Sequence, residues 1–254
     1  MAKDFSEDLL IQKSTAELLE KELGWKSVYA FDNEVLGDAS HSTRSGQAIS
    51  ATGISLGRRT QSEVVLTRHL RMALKRLNTW MNDKQMAEAI ERMTSYMSSQ
   101  TLMQINEEKY QYLRDGVPVT RLKLNGETEQ VRAHVIDFAN VDNNEFIAVR
   151  ELWIKGPNYK RRADVVCFVN GLPLIFIELK NHDQDIQNAY TDNYRDYLDT
   201  IPHLFHHNAM IMLSNGMESR VGTVGAKWEF FHEWKRLTEM DHGNIELPTM
   251  LRGI

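Results

Sequence analysis

Asn170-Gly171 separates two runs rich in β-branched and aromatic residues, Asp164 to Val169 and Leu172 to Leu179. Asn-Gly accepts the positive φ angles of a two-residue turn whose twist matches the strands it joins. Between two such runs it is the strongest short hairpin signal a sequence carries. The two runs are therefore read as antiparallel neighbours. The second contains the longest apolar stretch in the chain, Leu172-Pro173-Leu174-Ile175-Phe176-Ile177. Six residues suit a buried strand and fall far short of the ~18–20 that span a bilayer, so no membrane segment is expected. With 254 residues, 42% hydrophobic and 26% charged, the chain has ample material for one large core or two small ones.

Around this hairpin the pattern changes once. Before it, helical spacing recurs. A first helix is expected from about Ser6 to Leu23, with Ile11, Thr15, Leu18/Leu19 and Leu23 on one face and Gly24 as a stop. Others are expected at about 61–77, 83–97 and 106–113. Met86, Met93 and Met97 in the third read as core fillers. Residues 32 to about 61 hold Gly37, Gly46, Gly53 and Gly57 among many Ser and Thr, and read as a long mobile loop. After residue 116 the period shortens. Strands are expected at Val117–Leu122, at Val131–Asp137 and from Glu145 to Ile154, with Asn125-Gly126 a turn. Beyond the hairpin come a polar helix at about 185–198, a buried strand at Ala209–Leu213, a helix at 226–238 and a linker-like tail, 239–254. Helices, then an antiparallel-rich sheet, then helix, strand and helix define an α/β or α+β domain with a mixed sheet. The division expected is 1–115 as an N-terminal helical part, 116–238 as a core, and 239–254 as a linker.

Composition limits function. The single cysteine, Cys167, excludes an intrachain disulfide framework and a multi-cysteine zinc site, and reads as a small buried residue. The N-terminal residues lack the apolar core of a signal peptide, and a cytoplasmic protein is expected. A net charge of −5 argues against holding nucleic acid by bulk charge alone, while leaving room for a local basic groove.

The chemistry gathers at the open end of the hairpin. Asp164 lies six residues before Asn170, and Glu178 seven after Gly171, so the two land opposite each other within the slack of one bulge. Glu178 and Lys180, two apart on a strand, share a side, while Ile177 and Leu179 face the core. Two hard carboxylates suit a Mg²⁺ ion, with Mn²⁺ as a substitute. Such an ion can lower the pKa of a water and offset charge at a phosphodiester, and the lysine can orient the attacking water. The competing reading is a cross-strand ion pair at the surface. Lys160, Arg161 and Arg162 just before Asp164 could contact phosphates flanking a cut, or form a solvated turn. Arg58-Arg59 in the glycine-rich loop could touch DNA, with a solvated loop the default. His182, after the strand, could face a substrate. His203, His206 and His207 are spaced like ligands, but no cysteine or carboxylate supports zinc, and a polar loop is the reading.

The segment Arg162-Ala163-Asp164 … Ile177-Glu178-Leu179-Lys180 resembles the active-site motif of the PD-(D/E)xK nucleases, with Ala163 in the proline place. The resemblance is wider than the triad. Asn106-Glu107-Glu108-Lys109-Tyr110, Asp137-Phe138, Asn144-Glu145-Phe146, Phe168-Val169-Asn170-Gly171-Leu172-Pro173, Ile201-Pro202-His203-Leu204-Phe205 and Leu213 to Gly222 follow one family in order. From about residue 62 to 235 the chain is similar to the N-terminal nuclease region of the R subunit of type I restriction enzymes.

That resemblance implies a PD-(D/E)xK core with an added N-terminal helical region. It implies Asp164, Glu178 and Lys180 as catalytic residues, with the two carboxylates holding Mg²⁺. The substrate implied is double-stranded DNA, cut by a metal-activated water in a type I site-specific deoxyribonuclease. Methyltransferase (M) and specificity (S) subunits are the implied partners. The family's Gln-x-x-x-Tyr motif, thought to place DNA or the lysine, falls on Asn193 and Tyr197, with Asn replacing Gln. An early-helix glutamate that completes some metal sites of the superfamily would be Glu63. ATP enters only through a motor that follows the nuclease in the family. No Gly-x-x-x-x-Gly-Lys-Ser/Thr loop occurs, and Gly53 to Thr60 lacks both its spacing and its lysine. The expectation is a nuclease without its motor. The alternatives are a non-catalytic DNA-binding or docking module of the same fold, and a stand-alone repair-type nuclease.

Overall fold

A computed structural model describes residues 7–37, 54–123 and 125–233, with side chains from Gln12 onward. In chain order the helices are α1 (Glu7–Leu23), α2 (Thr67–Leu77), α3 (Asp83–Thr94), α4 (Leu102–Asp115) and α5 (Arg195–Thr200). The strands are β1 (Lys26–Tyr29), β2 (Val117–Leu122), β3 (Thr128–Ala133), β4 (Phe146–Lys155), β5 (Lys160–Val169), β6 (Leu172–Leu179), β7 (Met210–Ser214), β8 (Ser219–Gly222) and β9 (His232–Glu233). Seven strands form one mixed sheet in the order β1-β4-β5-β6-β7-β8-β9, and β2-β3 is a separate hairpin. The pairs β1–β4 and β6–β7 are parallel, and the other neighbours are antiparallel.

The Asn-Gly turn organises this sheet. Asn170 and Gly171 both have positive φ, 51° and 82°. Asn170 donates to the Val135 carbonyl at 2.8 Å and its Oδ1 accepts from the Glu145 N–H at 2.9 Å, tying β4 and the preceding loop to the turn. A Cβ on Gly171 would sit 2.5 Å from the Leu66 carbonyl, so the approach of the segment before α2 requires glycine. That closeness explains a correction. The helix expected from Gln61 begins at Thr67, because residues 61–66 spend their backbone groups elsewhere. Leu66 N–H donates to Gly171 at 2.8 Å, and the Gln61 carbonyl accepts from Lys155 N–H at 3.0 Å.

Both faces of the sheet are covered. Val165, Cys167, Ile175, Ile177 and Leu179 pack with Leu19, Leu70, Leu74 and Met93 from α1, α2 and α3. Val166, Phe168 and Phe176 pack on the other side with Tyr194, Tyr197 and Phe205. Met97, expected in the core, lies beyond the end of α3 and is exposed. The helix expected at 185–198 is a π-helical stretch, Ala189–Tyr194, running into α5. The described part of the helix expected at 226–238, residues 226–233, instead holds a single 3₁₀ turn, Trp228–Phe230, followed by β9. Buried Phe231 lies against Gly222, where a Cβ would meet its ring at 2.6 Å. Residues 234–254, which include the expected linker, lie outside the described residues, as does 38–53 of the expected loop. The described ends of that loop are bound: Glu34 bridges Ile54, and the buried Arg58 pairs with Glu34 and donates to the Glu63 and Trp153 carbonyls. Arg58 is therefore a structural pair and not a surface contact. Among the described residues no helix is long and apolar enough to cross a membrane.

Candidate active site

Strand register brings the acidic residues together. β4 and β5 pair as Arg150↔Val165 and Leu152↔Ala163, which places Glu151 across from Asp164. β5 and β6 pair as Val165↔Ile177, and one further step puts Asp164 across from Glu178. The extra residue that the count from the turn demands is Leu174 of β6, left unpaired where the register shifts between Cys167 and Phe168. Below Val165 the β5–β6 ladder stops, whereas β5 stays paired with β4 down to Lys160. The strands part at Asp164 and Glu178, and a cavity of about 700 Å³ opens in the fork.

Asp164 and Glu178 are both buried. Asp164 is held from two sides. Gln12 Nε2 of α1 donates to Oδ1 at 2.9 Å, and the Leu179 N–H donates to Oδ2 at 2.9 Å. Burial pushes its carboxyl up to about 7, while the Leu179 N–H pulls it down. Burial and the neighbouring Asp164 push Glu178 well above the carboxylate range. Glu178 Oε2 is buried and has no hydrogen-bond partner among the described residues. An unpaired buried carboxylate oxygen beside a second carboxylate is unfavourable without a cation. Glu151 does not add a third free carboxylate, because its Oε2 is 2.7 Å from Arg162 Nε. Among the described residues no group of three or more His, Cys, Asp or Glu is arranged to hold a metal. Two carboxylates, with water and phosphate oxygens, are a sufficient set for Mg²⁺.

The remaining expected residues fall into two groups. Lys180 Nζ donates to Asn193 Oδ1 at 2.6 Å, so the shorter amide reaches the lysine from the π-helical stretch. Tyr197 is buried, and its hydroxyl donates to the Arg162 carbonyl at 2.8 Å. Arg161 and Arg162 line the same cavity, each engaged by an acid, Arg161 by Asp196 and Arg162 by Glu151. Elsewhere, Glu63 pairs with Arg59 at 2.9 Å in a different cavity and does not reach Asp164. His203, His206 and His207 line that second cavity. They are not a polar loop: His206 and His207 are buried and held neutral, burial pushing them down to about 4 and about 3. His182 is exposed after β6, and Cys167 is fully buried.

Sequence reasoning missed Gln12 and Glu151. Gln12 lies 152 residues from Asp164 and carries no local signal. Glu151 carried one, a charge inside an apolar strand. Its φ of 56° interrupts the β4 ladder opposite Asp164. Non-glycine residues in this region cluster at functional sites.

The site is thus a mixed sheet that forks over two buried carboxylates, with an amide-held lysine at the rim, an arrangement with the chemistry to hold a cation against an anion. The chain belongs to the family described as the type I restriction enzyme R protein N terminus, which it matches over residues 4–230. It is 32% identical over 202 residues to the type I restriction enzyme HindI endonuclease subunit of Haemophilus influenzae, covering 76% of this chain and 19% of that protein. It is 31% identical over 113 residues to the SauMSSORF170P endonuclease subunit of Staphylococcus aureus, covering 44% of this chain and 12% of that one. The chain thus spans about a fifth of the length of the HindI subunit.

Proposed function

We propose that this chain is a Mg²⁺-dependent DNA endonuclease domain of the PD-(D/E)xK kind, the nuclease part of a type I R subunit. The observation that carries the reading is the Oε2 of Glu178, buried beside Asp164 at the fork with no hydrogen-bond partner among the described residues. That arrangement fits a divalent cation, with Mn²⁺ as a substitute, held by Asp164 and Glu178. When bound, the cation supplies charge neutralisation at the phosphorus and a lowered pKa for a nearby water. Gln12 and the Leu179 N–H fix the Asp164 carboxylate in one orientation, leaving little to reorganise when charge arrives. Lys180, anchored by Asn193, presents an ammonium that orients the attacking water and stabilises the developing oxyanion. Tyr197 braces the backbone of Arg162, and Arg161 and Arg162 meet the flanking phosphates.

The substrate proposed is double-stranded DNA in the cytoplasm, with M and S subunits as partners in the full enzyme. ATP would act only through the motor region of the full enzyme. The names of the relatives support the restriction role. The test is calorimetric titration of Mg²⁺ and Mn²⁺ into the wild-type chain and Glu178→Ala, with plasmid nicking on the same samples. Binding lost in Glu178→Ala is the expected result. Nicking beside it marks a competent nuclease, and binding without nicking marks one that waits on its motor. No binding by the wild type, with or without DNA, overturns the reading in favour of a docking module.

A further inference from the structure

One wall of the fork cavity has no role in the triad. Ile147 and Val149 share a sheet face, as do Leu152 and Ile154, so alternation along β4 skips at Glu151, where φ is positive. The skip turns Trp153 to the opposite face. There it joins Tyr29 and Phe31, whose neighbours Val28 and Ala30 pack on the first face. The three half-buried rings make a near-parallel row. Tyr29 and Phe31 have centroids 6.2 Å apart at 20°, and Phe31 and Trp153 6.4 Å apart at 28°. Cations sit over their faces: Lys160 Nζ 4.1 Å above Trp153, and the Arg162 guanidinium 5.1 Å from Phe31 and 5.8 Å from Trp153. All five side chains line the cavity that holds Asp164 and Glu178.

We infer that the Tyr29–Phe31–Trp153 row, with Lys160 and Arg162 upon it, is a seat for unpaired nucleotides beside the phosphodiester to be cut. This rests on the nuclease reading. A duplex offers a concave site its sugar–phosphate edge, and its bases reach ring faces only when unstacked. Rings interleaved with cations are what a single strand requires: π faces for successive bases and positive charge for the phosphates between them. Glu151 serves as a positioning residue, setting Trp153 on this face and holding Arg162 at 2.7 Å.

The test is fluorescence anisotropy in EDTA with a labelled single strand and a blunt duplex of the same sequence. It compares wild type, Trp153→Leu, Phe31→Leu and the surface variant Lys160→Gln, each checked for folding by circular dichroism. Trp153→Leu and Phe31→Leu are expected to weaken single-strand binding roughly tenfold or more, with duplex binding little changed. Lys160→Gln is expected to weaken the single strand more than the duplex and to flatten its salt dependence by about one ion. If the ring variants misfold, Lys160→Gln alone decides. Equal losses on both DNAs, or none, overturn the seat while leaving the nuclease reading intact. Wild type that binds neither DNA in EDTA also overturns the seat, while the nuclease reading is decided by the metal titration.

Discussion

Glu178 sits beside Asp164 with an oxygen that no described residue satisfies. Its removal should therefore help the protein when no cation is present. Glu178→Gln is expected to melt higher than wild type in EDTA, by about 2–4 °C for each kcal/mol of relieved repulsion. It should also lose the rise in melting temperature that Mg²⁺ or Mn²⁺ gives the wild type. Differential scanning fluorimetry with and without metal checks both. A variant that melts lower than wild type in EDTA would mean that Glu178 is a stabilising carboxylate and not a ligand in waiting. Asn193 supports another residue-scale expectation. Its Oδ1 is the hydrogen-bond acceptor for Lys180 Nζ. Asn193→Ala should lower nicking about ten- to hundredfold while leaving calorimetric Mn²⁺ binding in place.

At the scale of elements, the hairpin joining β5 to β6 carries the site, and its turn is the place where a single methyl group does most damage. Gly171→Ala adds a Cβ 2.5 Å from the Leu66 carbonyl at a φ of 82°. A loss on the order of 2–4 kcal/mol is expected in urea unfolding, without a change in slope. The same hairpin shows why part of the site was legible. Asn-Gly fixes the register, the register fixes which residues face each other, and counting from the turn puts Asp164 near Glu178. The elements that escaped are those without a local pattern. β1 and β8 are four residues each, too short for periodicity to register, and become strands only by pairing with β4 and β7. The segment 61–66 has helical spacing, but its backbone bonds go to β4 and the turn. The 226–233 segment is rich in aromatics because it closes the second core layer, a demand that turn and edge strand meet as well as a helix does.

For the whole molecule, the buried histidines set a lower limit of pH. His206 and His207 are neutral in the fold, pushed down to about 4 and about 3, while in an unfolded chain they would titrate near 6.5. Below 6.5 the unfolded state binds more protons, so stability should fall from pH 6.5 toward 4. Urea unfolding across that range, on the Asp164→Asn/Glu178→Gln chain so that neither site carboxylate titrates, checks the sign. A flat or rising profile would contradict it. Both cavities draw on parts of the chain far apart in sequence, and this is where reading by pattern stopped. No spacing rule ties the first helix to a residue of the fifth strand. The Gln12–Asp164 hydrogen bond spans 152 residues, a long loop whose closure costs entropy that the packed sheet must offset. On a ribosome the order is set by synthesis. α1 emerges first and has nothing to close, and the acidic row does not exist until β6 has followed. The carboxylate pair is thus completed only once β6 has been made, and the first half of the chain carries neither member of it.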